Sequence, residues 1–239
     1  EHAKRQALYG VVEADLTPDT LLTAGVEYQN FTNTGASRGG LPLFYTDGTR
    51  TDFARSTNGG AEWSDFNRKS VNIFASIAHD FDKNWHLQID AEHKSGSYDE
   101  TIGYFFGSAI DKDTGLGGTL YSTRWASDLT LNAVYANLRG SFEALGQEQH
   151  IALSLSHAQF DDDQTQYAGW WSGGDYMKSV DAFEFFATGE TTKPDLTTIQ
   201  GYGGNRIRTT AASGVARLKP ISPLSVICLL YTSPSPRDQ

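Results

Sequence analysis

The chain has one cysteine, Cys228, in 239 residues. A single thiol excludes an internal disulfide framework and a cysteine-rich zinc site. Basic residues are outnumbered, 19 Lys and Arg against 29 Asp and Glu, for a formal net charge of −10. No basic stripe offsets the repulsion that phosphates would feel, so nucleic acid is excluded as a partner. Long apolar runs are missing too, and nothing approaches the roughly 18 residues of a membrane-crossing helix. The mean hydropathy of −0.43 leaves a β-barrel open, because strands that alternate polar and apolar residues average out low. Only 7 prolines accompany 24 glycines and 12% aromatic residues, a balance that suits β structure with long connections.

What is present is period-two alternation. In "NWHLQIDAEH" (84–93), Trp85, Leu87, Ile89 and Ala91 share one face, and His86, Gln88, Asp90 and Glu92 the other. The same pattern runs through residues 4–15, 20–31, 70–81, 127–142, 149–160, 208–218 and 224–227. Leu22, Ala24, Val26 and Tyr28 align in the second of these, Val71, Ile73, Ala75 and Ile77 in the third. Leu129, Leu131, Ala133 and Tyr135 align in the next, then Ile151, Leu153 and Leu155. That makes about eight antiparallel strands in four hairpins.

Spacing chooses between a soluble sandwich and a membrane barrel. Short turns at 16–20, 82–84, 143–148 and 219–223 alternate with long connections at about 32–69, 97–126 and 161–206. Compact soluble domains seldom use loops beyond about 12–15 residues. Short turns at one end and long loops at the other are the layout of an outer-membrane barrel, with lipid outside and a wet interior. Tyr9, Tyr28, Phe31, Phe81 and Trp85 are the expected interfacial aromatics. The last segment, 228–239 ("CLLYTSPSPRDQ"), has no alternation and reads as a non-native tail. The expected domain is thus 1–227, and any export signal is expected outside this sequence.

The segment "GLPLFYTDGTRTDFARSTNGGAEWSDFNRK" (40–69) resembles the TonB-dependent ferric-siderophore receptors, nearest those for hydroxamate-, pyoverdine- or coprogen-type siderophores. Gly40-Leu41-Pro42-Leu43-Phe44, Asp47-Gly48, Arg55-Ser56-Thr57-Asn58 and Trp63 carry the likeness. The hairpins at 8–29, 74–93 and 216–227 extend it over nearly all of residues 4–227. The family has 22 strands around an N-terminal plug, in keeping with large plugged barrels. The resemblance therefore implies about eight of those strands, without plug, TonB box or final strand, and two unpaired edges. It further implies the outer membrane of a Gram-negative bacterium, with outer-membrane lipid, a ferric siderophore and, through the missing plug, TonB–ExbB–ExbD as partners. No catalytic residues, no protein metal ligands and no cofactor are implied, since iron arrives within the ligand. The rivals are a passive porin-type barrel and a soluble β-rich glycan-binding or hydrolytic module.

Bulky polar chelates call for aromatic walls with a few directional donors. The candidate ligand-binding residues are Tyr45, Arg50, Arg55 and Trp63 in the first loop, Tyr104 and Trp125 in the second, and Trp170 and Trp171 in the third. Arginine can fork hydrogen bonds to hydroxamate or carboxylate oxygens. The competing roles are structural: Arg55 and Asn58 tying the loop to itself, Trp63 anchoring at the interface, Trp170 and Trp171 packing their loop down. Sharper motifs fail. "DKDTGLG" (111–117) has Leu116 where a calcium loop needs glycine. His79, His86 and His93 alternate faces, Gly201–Gly204 lacks phosphate-loop spacing, and Asp161-Asp162-Asp163 reads as a solvated tip. Asp90 and Glu92 read as a hydrated lumen wall.

Overall fold

The computed structural model describes residues 2–232. Eight long strands carry the fold: β1 (His2–Thr17), β2 (Thr20–Thr34), β4 (Asp65–Asp80), β5 (Trp85–Phe106), β7 (Gly118–Ala144), β8 (Gln147–Tyr167), β10 (Ile199–Ile221) and β11 (Leu224–Tyr231). They pair antiparallel in chain order, each with the next. Short elements sit in the long connections: β3 (Phe44–Tyr45), β6 (Ala109–Ile110), β9 (Met177–Val180) and the helix α1 (Ala182–Thr188). The ladder is open, with β1 and β11 at its two ends. All of β1 and β11 is exposed, as unpaired edges would be.

Register assigns the faces. Ile77 faces Ile89, Ala75 faces Ala91, and these continue into Ala136 and Val134 of β7 and Leu155 of β8. On the other side Leu22, Ala24 and Val26 join the same face. This band is apolar yet solvent-accessible, with Val134 49% and Leu155 61% exposed, as a lipid-facing surface must be. The opposite face carries Gln88, Asp90 and Glu92 beside Ser76 and Phe74. Trp85 lies on the apolar face at its lower end. Tyr28, across from Val71, lies there level with Ser95. Ten residues separate Ser95 from Trp85, roughly 33 Å along the strand, which a tilt near 40° turns into the height of about 25 Å expected of a lipid band.

Three expectations are corrected. Tyr9 and Phe31 do not join the interfacial aromatics: Tyr9 stacks on Phe74 at 6.0 Å and Phe31 lies under Arg5, both on the polar face. Leu129, Leu131, Ala133 and Tyr135 also share the polar face, opposite Gly96, Lys94, Glu92 and Asp90. Both faces of that strand are apolar in sequence, so alternation alone cannot tell which one meets lipid. The strands are also far longer than their alternation suggests: β7 has 27 residues, roughly 90 Å at about 3.3 Å each. Beyond the lipid band the outer face turns polar. Arg124 forks onto Asp99 through Nε at 2.8 Å and Nη2 at 2.6 Å, Arg206 pairs with Asp161, and Arg208 donates to Gln159. Strands that stand in water on both faces lose the apolar signal that marks them. At the other end β11 continues past Ile227, with Cys228 and Tyr231 opposite Ala216 and Ser213. The rest of the segment read as a tail, 233–239, lies outside the described residues.

Candidate ligand wall at the loop end

Lengthening the strands shrinks the connections to residues 35–64, 107–117 and 168–198, and the three are knitted together. The β3–β6 ladder pairs Phe44 with Ala109 and Tyr45 with Ile110, joining the first connection to the second. The Ala182 amide donates to the Gly115 carbonyl at 3.0 Å, and the Glu62 amide to Gly189 at 2.8 Å, so the third connection grips both others. The helix α1 starts where the Asp181 carboxylate caps the amides of Phe183 and Glu184, the usual work of an N-cap aspartate. It buries Ala182 and Phe185 against Ala61, Phe105, Ile110 and Leu120. This small apolar core is what holds the loops in one arrangement.

On the polar face below that cap, aromatic rings gather. Trp170 stacks on Tyr121 at 5.8 Å and meets Trp125 edge-on at 5.5 Å. It also meets Trp171 at 4.8 Å and Tyr104 at 6.1 Å. Phe106 stacks on Tyr121 at 4.7 Å. All these separations fall in the favourable range for ring pairs. Gly169 permits the close packing, since a Cβ there would stand 2.7 Å from Thr123 Oγ1 and 2.9 Å from Trp171 Cη2. Trp171, 47% exposed, is steadied by its indole N–H donating to Gln200 Oε1 at 2.8 Å.

Charge enters beside the rings. Arg38 of the first connection lays its guanidinium 4.6 Å from the centre of Trp125 and donates from Nη2 to Glu100 Oε2 at 2.5 Å. Glu100 is buried, and its second oxygen accepts from Arg68 Nε at 2.6 Å and from Arg68 Nη2. Burying a carboxylate without such partners would be costly.

Of the eight candidate residues, Tyr104, Trp125, Trp170 and Trp171 come together in this cluster. Tyr104 and Trp125 stand on β5 and β7 rather than in a loop, which corrects their expected setting. The other four lie elsewhere. Tyr45, on β3, takes Lys112 over its ring at 5.8 Å and packs on the apolar core. Trp63 packs on the same core, with Lys193 over it. Arg50 and Arg55 are exposed, and among the described residues neither enters an ion pair. Asn58, not Arg55, ties the loop to itself, donating to the Gly35 carbonyl and accepting from the Gly60 amide. Sequence reasoning missed Arg38, Arg68, Glu100 and Tyr121. Alternation extended upward would have found Tyr121; nothing local marks an arginine whose partner is 62 residues away.

The rejected motifs resolve as ordinary structure. Asp111 accepts from the amides of Asp113 and Thr114 and from the Thr114 hydroxyl, a local turn. Those hydrogen bonds, the hydroxyl's foremost, hold its carboxyl below the usual range. Thr49 does the same to Asp47, and Thr197 to Asp195. Asp161–Asp163 lie within β8 and not at a tip; Asp161 pairs with Arg206, and Asp162 accepts from the Ser127 hydroxyl. His79, His86 and His93 contact Thr20, Asp80 and Asn132 separately.

No model of a known protein family matches the chain. The ferripyoverdine receptor of Pseudomonas aeruginosa is 29% identical over 224 residues, covering 93% of this chain and 27% of that protein. A ferric-pyoverdine BN7/BN8 receptor of Pseudomonas putida is 27% identical over 165 residues, 69% of this chain and 20% of its own length. Among solved structures, the outer-membrane ferripyoverdine receptor of P. aeruginosa bound to ferripyoverdine superposes with a TM-score of 0.83 at 27% identity. That match covers 96% of this chain and 30% of the receptor. The ferric-catecholate import receptor of E. coli, 12% identical with a TM-score of 0.69, shares the fold. The chain spans less than a third of the length of each of these relatives. Sequence and fold together resemble one wall segment of an outer-membrane ferripyoverdine receptor, within the TonB-dependent ferric-siderophore receptors.

Proposed function

We propose that the protein of which this chain forms part captures a ferric siderophore of the pyoverdine class at its extracellular end and imports it across the outer membrane. The single observation that carries this reading is the ring cluster of Tyr104, Tyr121, Trp125, Trp170 and Trp171 under Arg38. It offers aromatic surface and a guanidinium at the loop end of the wet face, where a bulky polar chelate first meets the wall. The likeness to ferripyoverdine receptors over nearly the whole chain supports the same class of ligand. Iron comes already chelated, so the wall supplies contacts and no iron ligands, and the protein acts as a receptor and not an enzyme. Energy reaches it from TonB–ExbB–ExbD through a plug filling the barrel, and outer-membrane lipid surrounds the apolar band. A passive porin or a soluble glycan-binding module accounts for neither the likeness nor the ring cluster.

The test is uptake of radioiron as ferric pyoverdine by cells that lack their own pyoverdine receptors and express the full-length protein. The reading expects accumulation that disappears when TonB is deleted. Accumulation indifferent to TonB, or none with any ferric siderophore, would overturn it.

A further inference from the structure

Two guanidiniums share one carboxylate at the edge of the ring cluster. Glu100 is 1% exposed, while the side chains of Arg38 and Arg68 are 42% and 56% exposed. Each oxygen of Glu100 is already taken, Oε2 by Arg38 and Oε1 by Arg68. Among the described residues Arg38 uses only Nη2 in that pair, leaving further N–H donors of its fork. Its guanidinium also rests against Phe66 at 5.7 Å as well as Trp125, so the donors are held beside the rings and cannot swing freely. Asp162, on the same face, accepts from the Ser127 hydroxyl, and among the described residues it forms no ion pair with either arginine. The pair therefore holds positive charge beyond what its bound carboxylate balances, in a chain whose formal net charge is −10.

We propose that Arg38, positioned by Glu100, is a specificity-determining residue that selects ligands bearing a free carboxylate or comparable anionic group next to an aromatic or chelate plane. The plane lies against the Trp125–Trp170 rings and the anion takes the free donors of Arg38, with Arg68 adding charge from the far side of Glu100. Charge-assisted hydrogen bonds of this kind are the stronger class. This rests on the siderophore reading above and adds to it a rule for choosing among ligands of one class.

The experiment measures equilibrium binding of two forms of one ferric pyoverdine, with succinate or succinamide as the side-chain acyl group, to the full-length receptor in detergent. The unaltered receptor is expected to bind the succinate form on the order of tenfold tighter. Arg38→Gln removes that preference, costing the succinate form on the order of tenfold more than it costs the succinamide form; Arg38→Lys keeps the charge without the fork and retains part of the preference. If Arg38→Gln weakens both forms equally, Arg38 is only a latch for its loop and the proposal fails. If the unaltered receptor binds both forms alike, charge selection fails while the siderophore reading stands. If it binds neither, the reading itself fails and takes this proposal with it.

Discussion

Trp63 lies so close over Gly103 that a Cβ on the glycine would stand 2.5 Å from Trp63 Cζ2 and 2.9 Å from the Ala61 methyl. The strand backbone gives up its side chain there to let the first connection pack down, and the Ser64 hydroxyl closes the join by donating to the Gly103 carbonyl at 3.1 Å. Gly103→Ala should therefore cost about 1–3 kcal/mol, as overpacking does. The loss should show as faster proteolysis within residues 35–64 while the barrel stays folded on gels. Unchanged proteolysis would contradict the contact.

Trp170 touches four other rings of the cluster. Each aromatic pair is worth about 0.5–1.5 kcal/mol beyond burial. Trp170→Ala should weaken ferric-siderophore binding by one to two orders of magnitude, and Trp170→Phe by less. Arg50→Ala and Arg55→Ala, outside the cluster, should leave binding within about twofold. An Arg55 variant that loses binding as Trp170→Ala does would relocate the site to the first loop.

Adjacent residues of β4 test the faces. Ile77 lies on the apolar side opposite Ile89, and Ser76 on the wet side opposite Asp90. Ile77→Arg should cost about 2–4 kcal/mol near the middle of the bilayer, whereas Ser76→Arg gains a carboxylate across the strand and should be tolerated. Urea unfolding of the receptor in lipid vesicles reads the difference; equal costs would mean the faces are assigned wrongly.

Asp47, Asp111 and Asp195 sit in connections outside the membrane, each held below the ordinary carboxylate range first by a threonine hydroxyl. A carboxyl lowered in the folded loop stabilises it above the unfolded value of about 3.9 and stops doing so as pH falls through the lower folded value. The loops should thus hold their turns at neutral pH and loosen only in acid. Carbon-13 shifts of labelled aspartate should titrate below about 3.9 at these positions, and Thr49→Val should bring Asp47 back up. A midpoint at the ordinary value in the unaltered protein would refute the turn.

Eight strands and their order could be read from alternation and short turns, because within the lipid band one face must be apolar. Above the band that rule lapses, and Asp99–Arg124 or Asp161–Arg206 look like loop residues though they continue the ladder. Leu129 to Tyr135 show a second limit, where two apolar faces leave the parity undecided until the partner strand settles it. At the site, large aromatics were visible as residues, but their convergence on Trp170 depends on β5, β7 and the third connection meeting in space. Arg38 and Glu100 had no signal at all, since neither stands in a motif.

If the ring cluster is the ligand wall proposed above, removing its rings must cost ferric-siderophore binding. The most direct measurement titrates the full-length receptor, unaltered and carrying Trp125→Ala with Trp170→Ala, with ferric pyoverdine labelled with radioiron. A ligand wall at these rings predicts saturable binding to the unaltered receptor and a loss of at least about tenfold, from roughly two ring contacts, in the double variant. Equal affinity of the two proteins would contradict it.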